Sequence, residues 1–575
     1  MSRKRSGLRK SLVLAGVLAL VVPLLVVFAT PASAATRCVN TGGTGGCYGS
    51  IQDAVNAAGG GDVINVYPGT YNESVDLGGH SGALTLRTVS AAGNLTPGTA
   101  QVNGGTTGPV FYTSSDHSGD ITIDGFAVQT AKGDGAGEDY DCIHLNVNSN
   151  VVIRNVTASG GSDGIEVDEA GGNVTVEYSE ASSNDSDGFI FEDVDGNLTV
   201  TGCTANGNVD ENFDIDEDIG GNVEIKGCTA NGSLDGTGIE VEEVAGNVTI
   251  TDSTANNNHN EGVLVEDIGM VGSEESAAGA DDLEDPEADD DDHDTNVRTS
   301  VNPTANGGDV TIKNCTTNDN QGDGISVWHA PGDVTISNCT AERNTNYGFT
   351  FGSLYSDLSV LNSVARNNTD TGVYLAQLDP SKDFEVRGSI ICGNGELGLD
   401  LAAASVTLDG RGNWWGCAAG PWNPGCDLTA SGIGSTLLVD PVIDSISGSA
   451  TVPAVEGQPT LVTFQFSGGP PAVYLGEGPG DLHGDPRFIV GTDNGTVASS
   501  GFIGDAQGRL EVTLTPAHAG TATVYVDGPC GLDESIVLSV VEAEEEFVPE
   551  PGSVMLLASG LMGLAGYAGL RLRKK

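Results

Sequence analysis

Apolar residues in the middle of this chain alternate with polar residues in short runs, and the runs return at a fixed interval. The stretch SDGIEVDEAGGNVTV begins at Ser162, and near copies begin at Ser186, Glu211 and Gly236. Each run alternates with a period of two, which indicates strands, and none has the 3.6-residue period of a helix. The core of the repeat is xGhxh, where h is apolar. It begins at Asp163, Asp187, Glu211 (with Asn212 in the glycine slot), Thr237, Glu261, Asp323, Tyr347, Thr371 and Leu397.

Successive copies lie 24, 24, 26, 24, 62, 24, 24 and 26 residues apart, a period that is typical of solenoids. Two further short strands follow in each copy, for example NVTV at 173 and CTAN at 203. Three strands per coil, stacked in register about 4.8 Å apart, predict a right-handed parallel β-helix. We therefore predict an all-β fold in which residues 35–440 form the solenoid.

Some columns of the stacked repeat carry the same side chain on nearly every coil. Asparagine tolerates the left-handed conformation of a sharp corner and can bond to neighbouring backbone, so an asparagine three residues before xGhxh predicts a stacked ladder. The ladder consists of Asn184, Asn208, Asn258, Asn320, Asn344, Asn368 and Asn394. Cysteine and serine share another column, which favours a small, partly buried slot over a metal site; disulfides between adjacent coils remain open. Its members are Cys203, Cys228, Ser253, Cys315, Cys339 and Ser363.

The first 34 residues have the features of an export signal. A basic segment, MSRKRSGLRK, precedes an apolar core, and the sequence ASA that ends at Ala34 suits cleavage after small residues. We therefore predict a signal peptide at 1–34. Export permits disulfides, and Cys38–Cys47 and Cys417–Cys426 are candidate local pairs.

The C-terminus has the features of a second address signal. Pro549, Glu550 and Pro551 precede an apolar stretch from about 552 to 570 and a basic end, and this stretch is long enough to span a bilayer with its basic tail in the cytoplasm. The order resembles the PEP-CTERM sorting signal of bacteria with complex envelopes and exopolysaccharide. The resemblance implies a sorting signal with a transmembrane segment at 547–575 and an exosortase as partner. It also implies a location in the cell envelope, at the cell surface or in the extracellular matrix. A plain membrane anchor is the alternative.

Three further segments define the remaining domain boundaries. SIQDAVNAAGGGDVINVYPGTYNESV resembles the capping segment of the pectin-lyase-like superfamily, which implies an N-terminal cap at about 47–75 with Ile51 and Val55 facing inward. GNWWGCAAGPWNPG resembles the closing segment of exported bacterial β-helix proteins, which implies a cap at about 410–440; a sugar platform of tryptophans is the alternative. TPAHAGTATVYV resembles bacterial immunoglobulin-like domains, which implies a small immunoglobulin-like β-sandwich at 441–546.

The 62-residue step holds an insertion at about 269–307, which includes the acidic stretch GSEESAAGADDLEDPEADDDDHDTN with almost no apolar residues. Such a composition cannot bury a core, so we predict a disordered loop.

The repeat places five carboxylates in one file on the outside of the solenoid. In GIEVD, Ile165 and Val167 point inward, so Glu166 and Asp168 point outward. The same register places Glu192, Asp216, Glu242 and Glu266 above Asp168. Charges about 4.8 Å apart repel by about 3–4 kcal/mol at an effective dielectric of 20, and Ca²⁺ accepts six to eight oxygen ligands. We predict that this file binds Ca²⁺; a solvated face with diffuse counter-ions is the alternative.

The charge of the chain narrows the choice of partners. The 23 basic and 80 acidic residues give a formal net charge of −57, which repels nucleic acid, although general acidity also suits high salt or solubility. His144 and His329 are isolated in the sequence, as surface or turn residues are, and the GHG motif of polygalacturonases is absent. The sequence thus favours a non-enzymatic protein that binds Ca²⁺, polysaccharide or both. A lyase or glycoside hydrolase of uronate-containing polysaccharide is the alternative.

Overall fold

The structure is a computed structural model. It describes residues 34–90, 92–105, 108–115, 117–130, 140–269, 308–416, 427–431, 434–438, 445–450, 453–467, 489–499, 509–527 and 534–542. Residues 1–33 of the predicted signal peptide, residues 270–307 of the insertion, the pair Cys417–Cys426 and the sorting signal therefore lie outside the described residues.

Each coil runs through three parallel sheets, which we call C, A and B in the order that the chain visits them. Sheet A has 15 strands: Thr36–Val39, Val63–Val66, Leu84–Thr88, Ile121–Asp124, Val151–Arg154, Val174–Glu177, Leu198–Thr201, Val223–Lys226, Val248–Thr251, Val310–Lys313, Val334–Ser337, Leu358–Leu361, Phe384–Arg387, Thr407–Asp409 and Thr436–Leu438. Sheet B has 12 strands: Gly69–Asn72, Ala100–Asn103, Phe126–Gln129, Thr157–Ser159, Glu180–Ala181, Thr204–Asn206, Thr229–Asn231, Thr254–Asn256, Thr316–Asn318, Thr340–Glu342, Val364–Arg366 and Ile390–Cys392.

Sheet C carries the outward face on which the sequence predicts a site. It has 13 strands: Val75–Asp76, Phe111–Tyr112, Ile143–Val147, Ile165–Ala170, Phe189–Phe191, Phe213–Ile215, Ile239–Val241, Val263–Val265, Ile325–Trp328, Phe349–Gly352, Val373–Leu375, Leu399–Leu401 and Thr429–Ser431. Alternate residues of these strands fill the interior. Ile165 and Val167 are buried, and the rings of Phe189 and Phe213 stack 4.8 Å apart on adjacent coils. The predicted parallel solenoid with three strands per coil is confirmed.

A short helix, Ile51–Asn56, lies at the N-terminal end of the solenoid. Its N-terminus is capped by Ser50, whose side chain accepts a hydrogen bond from Asp53 N. Ile51 and Val55 are buried, as predicted. At the other end, Trp414 is 6% and Trp415 0% exposed. Side chains so deeply buried pack as core and cannot form a sugar platform. Trp422 lies outside the described residues.

The predicted asparagine ladder is confirmed. It lacks an asparagine on the coil between Asn208 and Asn258, as the sequence also shows. Along most of the column each Nδ2 donates to the Oδ1 of the next asparagine, for example Asn320 to Asn344 at 3.0 Å. On one coil Ser233 stands in the asparagine position. There Asn212, from the glycine slot, accepts from Asn208 Nδ2 at 2.9 Å and continues the ladder.

The cysteines divide into bonded and free groups. Cys38 and Cys47 form the predicted disulfide, and Cys392, which the sequence analysis left unpaired, is also disulfide-bonded. The column cysteines are all free and buried, so disulfides between adjacent coils are not formed: Cys203, Cys228, Cys315 and Cys339. The slot is more deeply buried than predicted.

The insertion leaves the stacking of coils intact. Val248 pairs with Val310 in sheet A, and Val263 pairs with Ile325 in sheet C. The coils before and after the insertion are therefore direct neighbours, as the repeat predicted.

The segment after the solenoid forms two four-stranded sheets. One contains Ser445–Ala450, Thr460–Ser467, Arg509–Thr515 and Thr496–Ser499, and the other contains Ala454–Val455, Glu534–Val541, Gly520–Asp527 and Ile489–Thr492. Val462, Phe464, Val524 and Leu538 are buried. The assignment to the immunoglobulin-like class stays a prediction. Within the described ranges no helix has the length and apolarity needed to cross a membrane.

Candidate functional site

The five predicted Ca²⁺ ligands occupy equivalent positions on five successive coils. Each directly follows the residue at which these five strands stop pairing with the neighbouring strand of the file, in the series Val167, Phe191, Ile215, Val241 and Val265. Asp168 itself lies inside the strand Ile165–Ala170, at the point where pairing with the preceding strand shifts register. This strand-end file consists of Asp168, Glu192, Asp216, Glu242 and Glu266. Backbone hydrogen bonds hold it in place, since Glu192 N donates to Val167 O at 3.0 Å and Glu266 N to Val241 O at 2.9 Å.

The strand-end carboxylates repel one another. Burial, followed by the charge of Asp168, raises the pKa of Glu192 to about 7. Burial, followed by the charge of Glu266, raises the pKa of Glu242 to about 7. Without a cation, these groups therefore resist ionisation near neutral pH, because each added charge faces another on the next coil.

A second file lies in the middle of the strands, two residues before the strand-end file on each coil. Sheet C pairing aligns His144, Glu166, Ile190, Asp214, Glu240 and Leu264 on its outer side. Asp214 and Glu240 thus sit between two aliphatic side chains that are only 9% and 6% exposed. Burial, followed by the charge of Glu211, raises the pKa of Glu240 to about 9. Burial, followed by the charge of Asp187, raises the pKa of Asp214 well above its ordinary value.

A third file lies two residues before the start of each strand and is largely buried. It consists of Asp163, Asp187, Glu211 and Glu261. Asp163 Oδ1 accepts the backbone N–H of Asp187 at 2.9 Å, so part of its role is to join coils. Asp187 is 6% exposed, and its Oδ1 has no hydrogen-bond partner in the described part of the chain. Burial, followed by the charge of Glu211, raises the pKa of Asp187 to about 8. An oxygen that is buried, unpartnered and surrounded by acids is poised to receive a proton or a cation.

The turns after the strands add a fourth file of acids. Asp193, Glu217, Glu243 and Asp267 adopt φ values of 47°, 49°, 48° and 52°. This left-handed conformation is less strained for asparagine or glycine than for glutamate. The four files together form what we call the acidic face, on the outer side of sheet C between residues 163 and 267.

His144 and His329, which are isolated in the sequence, each contact two carboxylates in the structure. Both side chains are partly exposed, and His329 lies in a turn, as predicted. His144 Nδ1 lies 2.5 Å from Glu166 Oε2 and 3.3 Å from Asp141 Oδ2. Hydrogen bonds to Asp141 and Glu166 raise its pKa to about 10. The two histidines mark opposite ends of the acidic face, because His144 lies one coil before Glu166 and His329 one coil after Glu266.

His329 repeats the arrangement of His144 with residues from another pair of coils. Its Nδ1 lies 2.9 Å from Glu266 Oε1 and 3.3 Å from Asp267 Oδ1. Hydrogen bonds to Asp267 and Glu266 raise its pKa to about 9. Both histidines are therefore protonated at neutral pH when nothing else occupies the carboxylates.

The sequence contained signals for these groups. The x position of xGhxh is acidic at Asp163, Asp187, Glu211, Glu261 and Asp323. The stretch DCIHL has the same form with Cys142 in the glycine slot, which places His144 beneath Glu166. What the sequence could not indicate was burial, since an outward position on a strand is ordinarily exposed.

Arginine side chains in the described part of the chain pair with acids elsewhere. Arg154 binds Asp124, Arg343 binds Asp319 at 2.7 Å, and Arg366 binds Glu342 at 2.8 Å. At the two ends of the acidic face, His144 contacts Glu166, and His329 contacts Glu266 and Asp267. The face is thus left with a large excess of negative charge.

On the coils after Glu266, aromatic residues replace acids at several positions on the outer side of sheet C. Trp328 takes the strand-end position on the next coil, and its Nε1 donates to Ser326 Oγ at 2.8 Å. The rings of Tyr347 and Tyr374 stack 4.9 Å apart on the coils that follow. An aromatic and hydroxyl-bearing surface therefore continues the line of the acidic face.

Comparison with known proteins gives two family matches. Residues 112–271 and 301–414 match the family model described as right handed beta helix region. Residues 547–574, which include Pro549, Glu550 and Pro551, match the PEP-CTERM protein-sorting motif. No curated protein matches the chain.

Similar solved structures include three proteins of low identity. The periplasmic alginate epimerase AlgG is 14% identical with a TM-score of 0.33, over 65% of this chain and 77% of the other. The A-module of the Azotobacter vinelandii mannuronan C-5 epimerase AlgE4 is 15% identical with a TM-score of 0.29, over 67% and 91%. Pectate lyase Pel9A is 13% identical with a TM-score of 0.29, over 71% and 78%.

The stacked coils of the structure and the family match over residues 112–271 and 301–414 indicate the same fold, and the match at the C-terminus adds a sorting motif. The motif is the signal that exosortase-type sorting machinery recognises, and it directs a protein to the cell envelope or surface. The chain is a right-handed parallel β-helix protein that carries a PEP-CTERM sorting motif.

Proposed function

We propose that this protein is a non-enzymatic component of the cell surface or extracellular matrix that binds Ca²⁺ on its acidic face and, through it, an acidic polysaccharide. The observation that carries the proposal is the stacking of the strand-end carboxylates on five neighbouring coils, where the described residues place no arginine or lysine in a salt bridge with this file. Carboxylate oxygens at coil spacing suit Ca²⁺, which accepts many oxygen ligands in flexible geometry. The strand-end file supplies the first ligands: Asp168, Glu192, Asp216, Glu242 and Glu266.

Two features support a bound cation over a simple solvated face. Oδ1 of Asp187 is buried without a described partner, and a buried acceptor of this kind is costly unless something pairs with it. The pKa of Glu192 and that of Glu242 are both raised to about 7. A divalent ion between neighbouring carboxylates of the strand-end file would relieve the repulsion within that file, whereas diffuse counter-ions act weakly on partly buried groups.

A polysaccharide partner is supported by the surface that adjoins the file. Trp328 and the stacked pair Tyr347 and Tyr374 continue the outer side of sheet C next to Glu266. Aromatic rings with a polar edge suit the mixed apolar and hydroxylated faces of sugars. Ca²⁺ on the file would in turn attract the carboxylates of uronate units.

We favour a binding role over catalysis because neither histidine of the acidic face is suited to act as a base. A lyase needs a base that removes a proton from the substrate. The pKa of His144 is raised to about 10 and that of His329 to about 9, so both are protonated at neutral pH and unable to accept a proton. A glycoside hydrolase would need one protonated and one ionised carboxyl group, and such groups are too numerous on the acidic face to single out a pair.

Calorimetry tests the calcium proposal. Wild type is melted in chelator, in Ca²⁺ and in Na⁺ of matched ionic strength, beside a triple variant with Glu192→Gln, Asp216→Asn and Glu242→Gln. Wild type should gain on the order of 3 kcal/mol in Ca²⁺ at 100-fold excess over the dissociation constant. The triple variant should lose most of this gain, because the central ligands are gone.

A matched control removes three charges from other faces of the same solenoid, with Glu177→Gln, Glu180→Gln and Glu224→Gln on sheets A and B. This control should respond to Ca²⁺ as wild type does. Equal stabilisation of wild type by the two salts would overturn the calcium site.

The polysaccharide part is tested separately, by binding of uronate-rich and neutral polysaccharides with and without Ca²⁺. We expect Ca²⁺-dependent binding of the acidic polymers, weakened by Trp328→Ala. Release of unsaturated or reducing-end products from any polymer would show that the protein is an enzyme.

A further inference from the structure

The two histidine clusters at the ends of the acidic face have the same composition. Each joins one imidazole nitrogen to two carboxylate oxygens, and within each cluster the three ligand atoms lie within 4.8 Å of one another. The first cluster is Asp141, His144 and Glu166. The second is Glu266, Asp267 and His329. Each draws its members from two adjacent coils, so the spacing of coils fixes the spacing of ligands.

Strand pairing and a backbone hydrogen bond position the members of the first cluster. His144 and Glu166 are directly paired residues on neighbouring strands of sheet C, which keeps their side chains on the same side. Asp141 has a side chain only 2% exposed, and its Oδ1 accepts the backbone N–H of Asp163 at 3.2 Å. Such secondary bonds orient a ligating carboxylate.

The second cluster is held by a turn and not by strand pairing. His329 has a φ of 48°, the left-handed conformation that Asp267 adopts on the coil before it. Its backbone N–H donates to Gly352 O at 3.2 Å. The imidazole is thereby placed above both Glu266 and Asp267.

We propose that each histidine cluster binds one divalent transition-metal ion, with Zn²⁺ as the favoured ion. The first cluster shares no residue with the strand-end file, and the second shares only Glu266, the last carboxylate of that file. Zn²⁺ would displace the proton from the imidazole Nδ1, because a histidine binds a metal ion in its neutral form. Neutral imidazole is a preferred ligand of Zn²⁺, whereas Ca²⁺ takes oxygen ligands. Three protein ligands leave a coordination position open to solvent or to a partner. The side chains of His144 and His329 are 30% and 35% exposed, so an ion can reach both sites.

An ion pair between imidazolium and carboxylates is the competing explanation for each cluster. The two explanations predict different Zn²⁺ binding. An ion pair has no reason to take up Zn²⁺ in the presence of excess Ca²⁺. A metal site keeps its preference for Zn²⁺, because the nitrogen ligand distinguishes the two ions.

The test is an isothermal titration calorimetry experiment in which Zn²⁺ is added to the mature chain in excess Ca²⁺. The variants are His144→Gln, His329→Gln and the double variant. Glutamine is acceptable at position 329, because Gln377 occupies the equivalent turn two coils later with a φ of 51°. Wild type should bind two more Zn²⁺ ions than the double variant, and each single variant should bind one fewer than wild type.

A matched control is His259→Gln, which removes an exposed imidazole that contacts Gln321 at 3.2 Å. This variant should bind as many Zn²⁺ ions as wild type. Co²⁺ provides a second readout, since bound Co²⁺ should have a visible absorption band that weakens in each single variant and is lost in the double variant.

Unchanged Zn²⁺ stoichiometry in the double variant, with its melting temperature preserved, would overturn the proposal and leave two ion pairs. Complete displacement of Zn²⁺ by Ca²⁺ from wild type would do the same. Either result would leave the calcium proposal standing, because Ca²⁺ binding to the strand-end file is measured with different variants.

Discussion

Asn212 Nδ2 donates a hydrogen bond to Asn258 Oδ1 at 3.0 Å, across the one coil on which the ladder asparagine is missing. The missing asparagine is replaced by Ser233, and Asn212 itself stands where other coils have glycine. On those coils a Cβ at the glycine would approach the ladder amide closely, as at Gly238, where it would lie 2.4 Å from Asn258 Nδ2. The small side chain at 233 makes room for the large one at 212, so the two departures from the repeat compensate each other.

This compensation predicts a coupling between the two sites. Asn212→Gly alone should destabilise the solenoid by about 1–3 kcal/mol, because it leaves buried ladder groups unpaired. Ser233→Asn alone should also destabilise, because the new amide meets Asn212. The double variant restores the regular ladder and should be close to wild type. Chemical denaturation of the four proteins measures the coupling. Effects that simply add would contradict the compensation.

The raised pKa values predict how stability depends on pH in chelator. The pKa of Glu192 is raised to about 7, that of Asp187 to about 8 and that of Glu240 to about 9. Those of His144 and His329 are raised to about 10 and 9. Every one of these groups binds its proton more tightly in the folded protein than in the unfolded chain. Stability should therefore fall as pH rises, through about pH 4.5 to 9 for the acids and about pH 6.5 to 10 for the histidines.

Melting temperatures measured in chelator from pH 5 to 9 check this expectation. The triple variant with Glu192→Gln, Asp216→Asn and Glu242→Gln should show a shallower fall, because it has fewer groups to deprotonate. Saturating Ca²⁺ should flatten the profile of wild type if the cation replaces the protons. Melting temperatures that rise with pH over this range would contradict the burial of these carboxyl groups.

The insertion should be removable. Deletion of residues 270–307 joins Gly269 to Gly308 and restores a turn of the length found between Val241 and Val248 on the preceding coil. We expect a folded solenoid with a melting temperature near that of wild type, because the flanking coils already pair in register and a long surface loop contributes little to stability. Circular dichroism with thermal melting checks this. A large loss of stability would mean that the segment packs on the solenoid.

The sorting motif makes a prediction in the producing cell. Changing Pro549, Glu550 and Pro551 to alanine should leave the protein unprocessed and retained in the membrane, because the two prolines fix an extended recognition segment. Fractionation and immunoblotting would detect the retained form. A triple alanine protein that is processed and sorted like wild type would contradict this role of the motif.

The sequence by itself determined the solenoid, because stacking in register converts a column of the repeat into a column in space. For that reason the asparagine ladder, the inward Ile165 and Val167 and the order of the strand-end file could all be read before any coordinates. The same logic predicted that the insertion interrupts the chain without interrupting the pairing.

Only the tertiary structure decided burial and the contacts made where the repeat departs from its own pattern. Outward positions are exposed on an isolated strand, yet Asp187 and Leu264 are only 6% exposed once adjacent coils and turns close around them. His144 meets Glu166 because a coil with cysteine in the glycine slot stacks in register beneath a regular one. Asn212 reaches Asn258 because Ser233 leaves space between them. These contacts depend on how the side chains of neighbouring coils pack together, and the aligned positions of the repeat do not contain that information.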